Sequence, residues 1–290
     1  MMVRKLKREG VYKIYRKLKN KGVYKINMDI DIIELSERKA RFVLSGVPAA
    51  FANALRRSIL AEVPVLAIAD VNIYDNTSVL FDEQLALRLG LIPLKADTKR
   101  YVLPEECTCQ GQGCPLCQVS LTLSAEGPKV VYSGDMISTD PDVRPADATV
   151  PIVELKEKHK VVVESIARLG TGTGRSHSKW QAGIASGYKN MPVLTVGECD
   201  GCGKCIELCP RNILKLSGDK VSVTDVIECS MCRICEEACD MNSISVSYDP
   251  ESFVMTFETS GSTTAAELAI EATESIKKRA GQLGEILNTF

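Results

Sequence analysis

Cys199, Cys202, Cys205 and Cys209 stand at the spacing C-x2-C-x2-C-x3-C, followed by Pro210, and Cys229, Cys232, Cys235 and Cys239 repeat that spacing thirty residues on. Glu198 and Glu228, Glu207 and Glu237, and Asn212 and Asn242 recur in step with the cysteines, as an internal duplication would leave them. Three closely spaced thiolates cover one face of an iron–sulfur cubane, so the doubled run predicts two 4Fe–4S clusters. A third group, Cys107, Cys109, Cys114 and Cys117, forms C-x-C-x4-C-x2-C in a loop that also contains Gly111, Gly113 and Pro115. Four soft ligands so close together can close a tetrahedral zinc site without an open coordination position, which makes its role structural. Free thiols or a disulfide are the alternatives there.

In two-cluster ferredoxins the fourth Cys of each run ligates the other cluster. The expected sets are therefore Cys199, Cys202, Cys205 and Cys239 for one cluster, and Cys229, Cys232, Cys235 and Cys209 for the other. Asp240 stands where the first run has Pro210, which leaves room for a single cluster or a 3Fe–4S form. Little else in the chain suggests chemistry. His159 sits in a charged run that reads as surface, and His177 lies beside the sole tryptophan, Trp180. No Walker phosphate loop, dinucleotide fingerprint, HExxH or nucleophile elbow occurs, nor the tight acidic cluster of a two-metal centre. The chain is expected to catalyse nothing by itself.

The elements that must position these groups are legible from periodicity. Residues 28–44 alternate as a β-hairpin, with Ile30 and Ile32, then Ala40, Phe42 and Leu44, on its buried face. Phe51, Leu55 and Ile59 recur at helical spacing, so a helix runs from Ala49 to about Glu62 and stops before Pro64. Val65 to Tyr74 reads as a strand ending in a turn at Asp75-Asn76, and Asp82 to Leu89 as a short helix. Alternation around Val119 to Leu123, Val130 to Tyr132, Pro151 to Val153 and Val161 to Val163 makes the middle mostly β, and Gly170 to Ser178 reads as a loop. Ile244, Val246, Phe253, Met255 and Phe257 suggest two strands about a turn at Asp249-Pro250. A long terminal helix follows, opened by a capping box of Thr264 and Glu267. Its stripe of Ala265, Ala269, Ala272, Ile276, Leu283 and Leu287 suits close helix packing, within the chain or between subunits.

The 290 residues, nearly half apolar and a quarter charged, make an ordinary globular composition with room for two or three compact units. No apolar stretch is long enough to span a bilayer, so a cytoplasmic protein is expected. The net charge of −1 conceals ten Lys/Arg in residues 1–27 against the single acid Glu9. That stretch repeats itself at a twelve-residue period and reads as a disordered or untranslated tail, although a nucleic-acid contact is the competing reading. The remaining body is acidic, a poor match for a phosphate backbone.

Phe51-Ala52-Asn53-Ala54-Leu55-Arg56-Arg57, Val63-Pro64, Asn76-Thr77-Ser78, and Asp82-Glu83 through Leu87-Arg88-Leu89-Gly90-Leu91-Ile92-Pro93-Leu94 resemble the signature of the alpha-like family of DNA-directed RNA polymerase subunits, in its archaeal form with a ferredoxin-like insertion. His177-Ser178-Lys179-Trp180 resembles the family's His-Ala-Lys-Trp segment, from which Ser178 departs. The resemblance implies an α+β fold in three parts. A discontinuous dimerisation domain takes residues 28–67 and 247–290, a mostly-β domain with the Cys loop takes 68–193, and a ferredoxin-like domain takes 194–246. It implies a non-catalytic assembly platform for transcription that pairs with a small subunit L, recruits subunits N and P, and receives the two large catalytic subunits. Eukaryotic members carry a zinc-binding Cys loop at the position of Cys107 to Cys117. The expected partner face comprises Phe51, Leu55, Arg56, Arg57 and Ile59 on the first helix, and Ala269, Ala272, Ile276 and Leu283 on the last. Read from the cysteines alone, the competing function is a ferredoxin-type electron-transfer subunit of a redox enzyme.

Overall fold

The computed structural model describes residues 28–175 and 177–289, so the basic repeat of residues 1–27 lies outside the described residues. In chain order the elements are β1 (Asp29–Leu35), β2 (Lys39–Ser45), α1 (Ala49–Ala61), β3 (Val65–Asn76), α2 (Asp82–Gly90), β4 (Leu94–Lys95), β5 (Gln118–Glu126), β6 (Lys129–Tyr132), β7 (Ile137–Ser138), β8 (Arg144–Pro145), β9 (Pro151–Leu155) and β10 (Lys160–Gly170). Then come α3 (Gly172–Arg175), β11 (Gly183–Val196), α4 (Lys204–Glu207), β12 (Leu214–Ser217), β13 (Lys220–Val223), α5 (Ile234–Glu237), β14 (Ile244–Thr259) and α6 (Ala265–Leu287). Among the described residues there are two four-stranded sheets, in the orders β1-β2-β14-β11 and β3-β10-β5-β7, and three two-stranded ones, giving a mixed α and β architecture. No helix among the described residues is long and apolar enough to cross a membrane.

The chain divides into two compact units. One holds residues 28–31, Val43–Ala49 and Asn190–Phe253, and the other Ile32–Phe42, Ala50–Lys189 and 254–289. In the second unit the antiparallel register sets Val161, Val163 and Ala167 of β10 opposite Ala125, Leu123 and Val119 of β5, and all six are buried. Alternation along each strand thus delivers one apolar face, which Leu85 and Leu89 of α2 join in a common core. The first unit has a much smaller core, in which Cys205, Cys229 and Cys235 pack with Ile213, Leu214, Val221, Ile244 and Val246.

Helix α1 and helix α6 meet inside the second unit although they come from opposite ends of the chain. The hydroxyl of Ser58, fully buried, donates to the carbonyl of Ala272 at 2.8 Å. Glu62, at the end of α1, accepts from Ser275 at 3.1 Å and pairs with Arg279 at 2.8 Å. The predicted capping box is present: Thr264 Oγ1 accepts from the Glu267 N–H at 3.3 Å, and the Glu267 carboxylate accepts from the Thr264 N–H at 3.3 Å.

Several expectations need correction. Ile30 and Ile32 are 39% and 51% exposed, whereas Ala40, Phe42 and Leu44 are buried. β1 is the outer strand of its sheet, and the described residues leave its isoleucines about half exposed. The turn expected at Asp75-Asn76 falls one step later, because Asn76 ends β3 and closes an Asx turn by accepting from the Ser78 N–H at 3.1 Å. Asp249-Pro250 does not reverse the chain. Asp249 accepts from the Glu251 N–H at 2.9 Å and from Ser252 Oγ at 2.7 Å, and β14 continues through Pro250 as one strand. The loop from Gly170 contains a single helical turn, α3.

Thr264→Ala should lower the unfolding free energy by about 1 kcal/mol in urea titrations, and Thr264→Ser should retain most of it. Donation from Thr264 holds the Glu267 carboxyl below its ordinary range. The cap's contribution is therefore complete above the ordinary Glu value and lost as pH falls through the depressed native value, so the Thr264→Ala deficit should shrink in acid.

Candidate metal centres

The two duplicated cysteine runs fold alike. In the first, α4 carries Cys205 and the Gly201 N–H points at Cys199 Sγ, 3.4 Å away; in the second, α5 carries Cys235 and the Met231 N–H points at Cys229 Sγ, also 3.4 Å away. After the fourth cysteines, the N–H groups of Asn212 and Asn242 donate to the carbonyls of Cys209 and Cys239 at 3.1 and 2.9 Å. Burial raises the Cys205 thiol, and the charges of Cys199, Cys202 and Cys239 raise it further. Burial likewise raises Cys235, followed by the charges of Cys209, Cys229 and Cys232. Cys209, the last cysteine of the first run, lines one cavity with Cys229, Cys232 and Cys235 of the second.

Sulfur spacing separates these two sets from the third group. Among the described residues, Cys107, Cys109, Cys114 and Cys117 are the group whose ligand atoms all lie within 4.8 Å of one another. Among the described residues, no three sulfurs of the two runs form a group as tight as that one. Where the second run has Asp240 in place of proline, its carboxylate makes an ion pair with Lys204 of the first run. Neither histidine joins a cysteine group. His159 is half-buried rather than on the surface, and His177 Nδ1 accepts from the Lys179 N–H at 3.1 Å in a turn where the Lys179 ammonium lies 4.6 Å from the Trp180 ring centre.

The residues expected to face partners do not share one fate. Leu55, Ile59 and Ala272 are 5%, 0% and 0% exposed, and this chain's own core covers them, which corrects their assignment to a partner surface. Phe51, Arg56, Ala269 and Ile276 are partly covered, and Arg57 and Leu283 are exposed. Sequence reasoning missed Ile270 and Ile286, which are 48% and 57% exposed with Leu283 and Leu287 at 58% and 62%. The stripe drawn through the alanines follows the inner face of α6, and these two isoleucines lie off it.

In the Cys107 loop the sulfurs of Cys107 and Cys109, Cys107 and Cys114, Cys109 and Cys117, and Cys114 and Cys117 are 3.4, 3.5, 3.5 and 3.8 Å apart. A sulfur tetrahedron around an ion at ~2.3 Å has edges of about 3.8 Å, so the four sulfurs fit one tetrahedral metal. None of the four is disulfide-bonded in this structure. The Gly113 N–H, donating to Cys109, holds that thiol down at about 6, while burial pushes Cys117 up to about 12. Such a split is what close sulfurs must adopt, since they cannot all carry charge without a cation among them. Gly113 has φ of 98°, and a Cβ there would meet the Gln118 amide at 2.6 Å. Gly113→Ala should therefore displace the Cys109 donor and weaken metal binding about tenfold or more, read from thiolate-to-metal charge transfer in a Co2+ titration.

Comparison with known proteins supplies the wider context. Residues 41–280 match the family described as the RNA polymerase Rpb3/Rpb11 dimerisation domain. The DNA-directed RNA polymerase subunit Rpo3 of Methanosarcina acetivorans is 54% identical over 266 residues, covering 91% of this chain and 99% of that protein. The Rpo3 subunit of Methanosarcina mazei is also 54% identical over the same shares of both chains, and that of Archaeoglobus fulgidus is 44% identical over 89% of this chain and 97% of its own. A family match across most of the length, with relatives of this identity over nearly their whole extent, means that the chain belongs to the RNA polymerase Rpb3/Rpb11 dimerisation-domain family.

Proposed function

We propose that this chain is a non-catalytic assembly subunit of an archaeal DNA-directed RNA polymerase in the cytoplasm, pairing with the small subunit L. The pair recruits subunits N and P and receives the large catalytic subunits. One observation carries the pairing: beyond Ile276 the terminal helix turns Leu283, Ile286 and Leu287 to solvent, on a helix whose first half is buried at Ala265, Leu268 and Ala272. Covering each such side chain contributes about 1.5–3 kcal/mol, a strong drive toward a partner helix of matching apolar face. Phe51, Arg56 and Arg57 on α1, with Ala269 and Ile276 on α6, extend that surface.

In this reading Cys107, Cys109, Cys114 and Cys117 hold a structural Zn2+, which the edge lengths of the sulfur tetrahedron and the all-thiolate donor set favour. Cys199, Cys202, Cys205 and Cys239 hold one 4Fe–4S cluster, and Cys229, Cys232, Cys235 and Cys209 the other. A bound cluster supplies cross-links between sulfurs of the two runs, and with three cysteines among eight core residues it also supplies much of the folding free energy of residues 194–246. The chain's own part is to present the thiolates and aim the N–H groups of Gly201, Met231 and Ser243 at Cys199, Cys229 and Cys239. Cluster state then regulates assembly through the order of that domain. The electron-carrier reading loses ground because relatives that match 91% of the chain are polymerase subunits.

Co-expression with subunit L under anaerobic conditions tests both parts. Leu283→Asp with Ile286→Asp should weaken the heterodimer by roughly a hundredfold or more in sedimentation, with circular dichroism unchanged. Ligand variants such as Cys205→Ser should assemble polymerase less well than wild type. Equal assembly in oxic and anoxic cells overturns the regulatory role.

A further inference from the structure

The two cysteine runs share a backbone path and differ in the residues that follow it. Gly201 and Gly203 hold φ of 72° and 77°, and at the matching positions of the second run Met231 and Arg233 hold 56° and 61°. Asn212 and Asn242, at 52° and 51°, show how closely the copies repeat. In the left-handed region an L side chain crowds the following carbonyl oxygen; glycine escapes this, asparagine tolerates it, and methionine and arginine do neither. The geometry serves the sulfurs. It aims the Met231 N–H at Cys229, and it lets the Arg233 carbonyl accept from Glu236 and Glu237 at the start of α5, as the Gly203 carbonyl accepts from Ile206 and Glu207 at the start of α4. The Arg233 side chain is a weak anchor, since it is exposed and its ion pair with Glu236 is long at 3.9 Å. The second loop is therefore held in a shape that its own residues disfavour, by backbone hydrogen bonds, by the packing of Met231 on the small core and by its sulfur ligands.

We infer that the two clusters are not equivalent: the site of Cys229, Cys232, Cys235 and Cys209 is the labile one, and it empties before that of Cys199, Cys202, Cys205 and Cys239, leaving a defined one-cluster form. This rests on the cluster reading above. Release to a chelator needs no oxidant. The four iron–thiolate bonds break, each thiolate keeps its electron pair and takes a proton from water, the chelator takes the ferrous and ferric ions, and sulfide leaves as hydrosulfide.

The test uses the full chain purified anaerobically. Iron and acid-labile sulfide come first, and their absence from the wild type overturns the cluster reading itself. With clusters present, loss of visible absorbance under an iron chelator should be biphasic. Cys202→Ser, which spoils the first site, should retain the fast phase, and Cys232→Ser the slow one. Combining Met231→Gly with Arg233→Gly should slow the fast phase about tenfold. Gly203→Ala is the reciprocal change, and because a Cβ at residue 203 meets nothing within 4 Å it imposes the backbone cost without a clash, so it should speed the slow phase several-fold. Equal rates at the two sites, a fast phase belonging to the first site, or glycine substitutions that leave the fast phase unchanged would each overturn the inference. If the serine variants do not fold, the glycine pair still decides it, since the fast phase either slows or does not.

Discussion

A buried hydroxyl in the first helix donates to a carbonyl in the last, 214 residues away in sequence, and the rest of the organisation depends on that closure. Ser58 reaches Ala272, and Glu62 reaches both Ser275 and Arg279. Everything between is inserted into a loop that this contact closes. The entropic cost of closing a loop rises only with the logarithm of its length, so a scaffold of this kind tolerates large insertions between its two ends. The same packing uses one face of α6 near its start and leaves the far half of the helix uncovered, which is why the partner surface proposed above lies where it does.

Sulfur spacing imposes a second constraint. Thiolates repel one another, and only positive charge among them relieves the repulsion at close range. The Cys107 loop meets this with a tetrahedron sized for one ion, drawn together by turns within eleven residues. The sulfurs of the duplicated runs form no such tight group among the described residues. A core as small as theirs, with three of its eight residues cysteine, cannot rest on apolar burial alone.

Much of this was legible in the primary structure because the signals were local. The spacing of eight cysteines, the capping box at Thr264, and the helical recurrence of Phe51, Leu55 and Ile59 each depend on residues within a few turns of one another. Where expectation failed, the deciding contact was remote or a local hydrogen bond competed with a turn signal. Asp249-Pro250 carries turn residues, yet the bonds from Glu251 and Ser252 to Asp249 let the strand continue. Ile30 and Ile32 alternate as a buried face should, but alternation cannot say whether a strand lies at the edge of its sheet.

The sequence by itself determined the chemistry of this protein: which residue types stand close enough to bind metal, and which signature segments mark its family. Only the tertiary structure decided how those groups are shared out. It set Cys209 around one cavity with Cys229, Cys232 and Cys235, sized the Cys107 loop's sulfur set for a single ion, buried Leu55, Ile59 and Ala272 inside the chain and left Leu283 and Ile286 outside. The reason is physical. Ligand type and local propensity act over a few residues, whereas burial and sulfur-to-sulfur distance follow from how distant segments meet, and no short stretch of sequence encodes that meeting by itself.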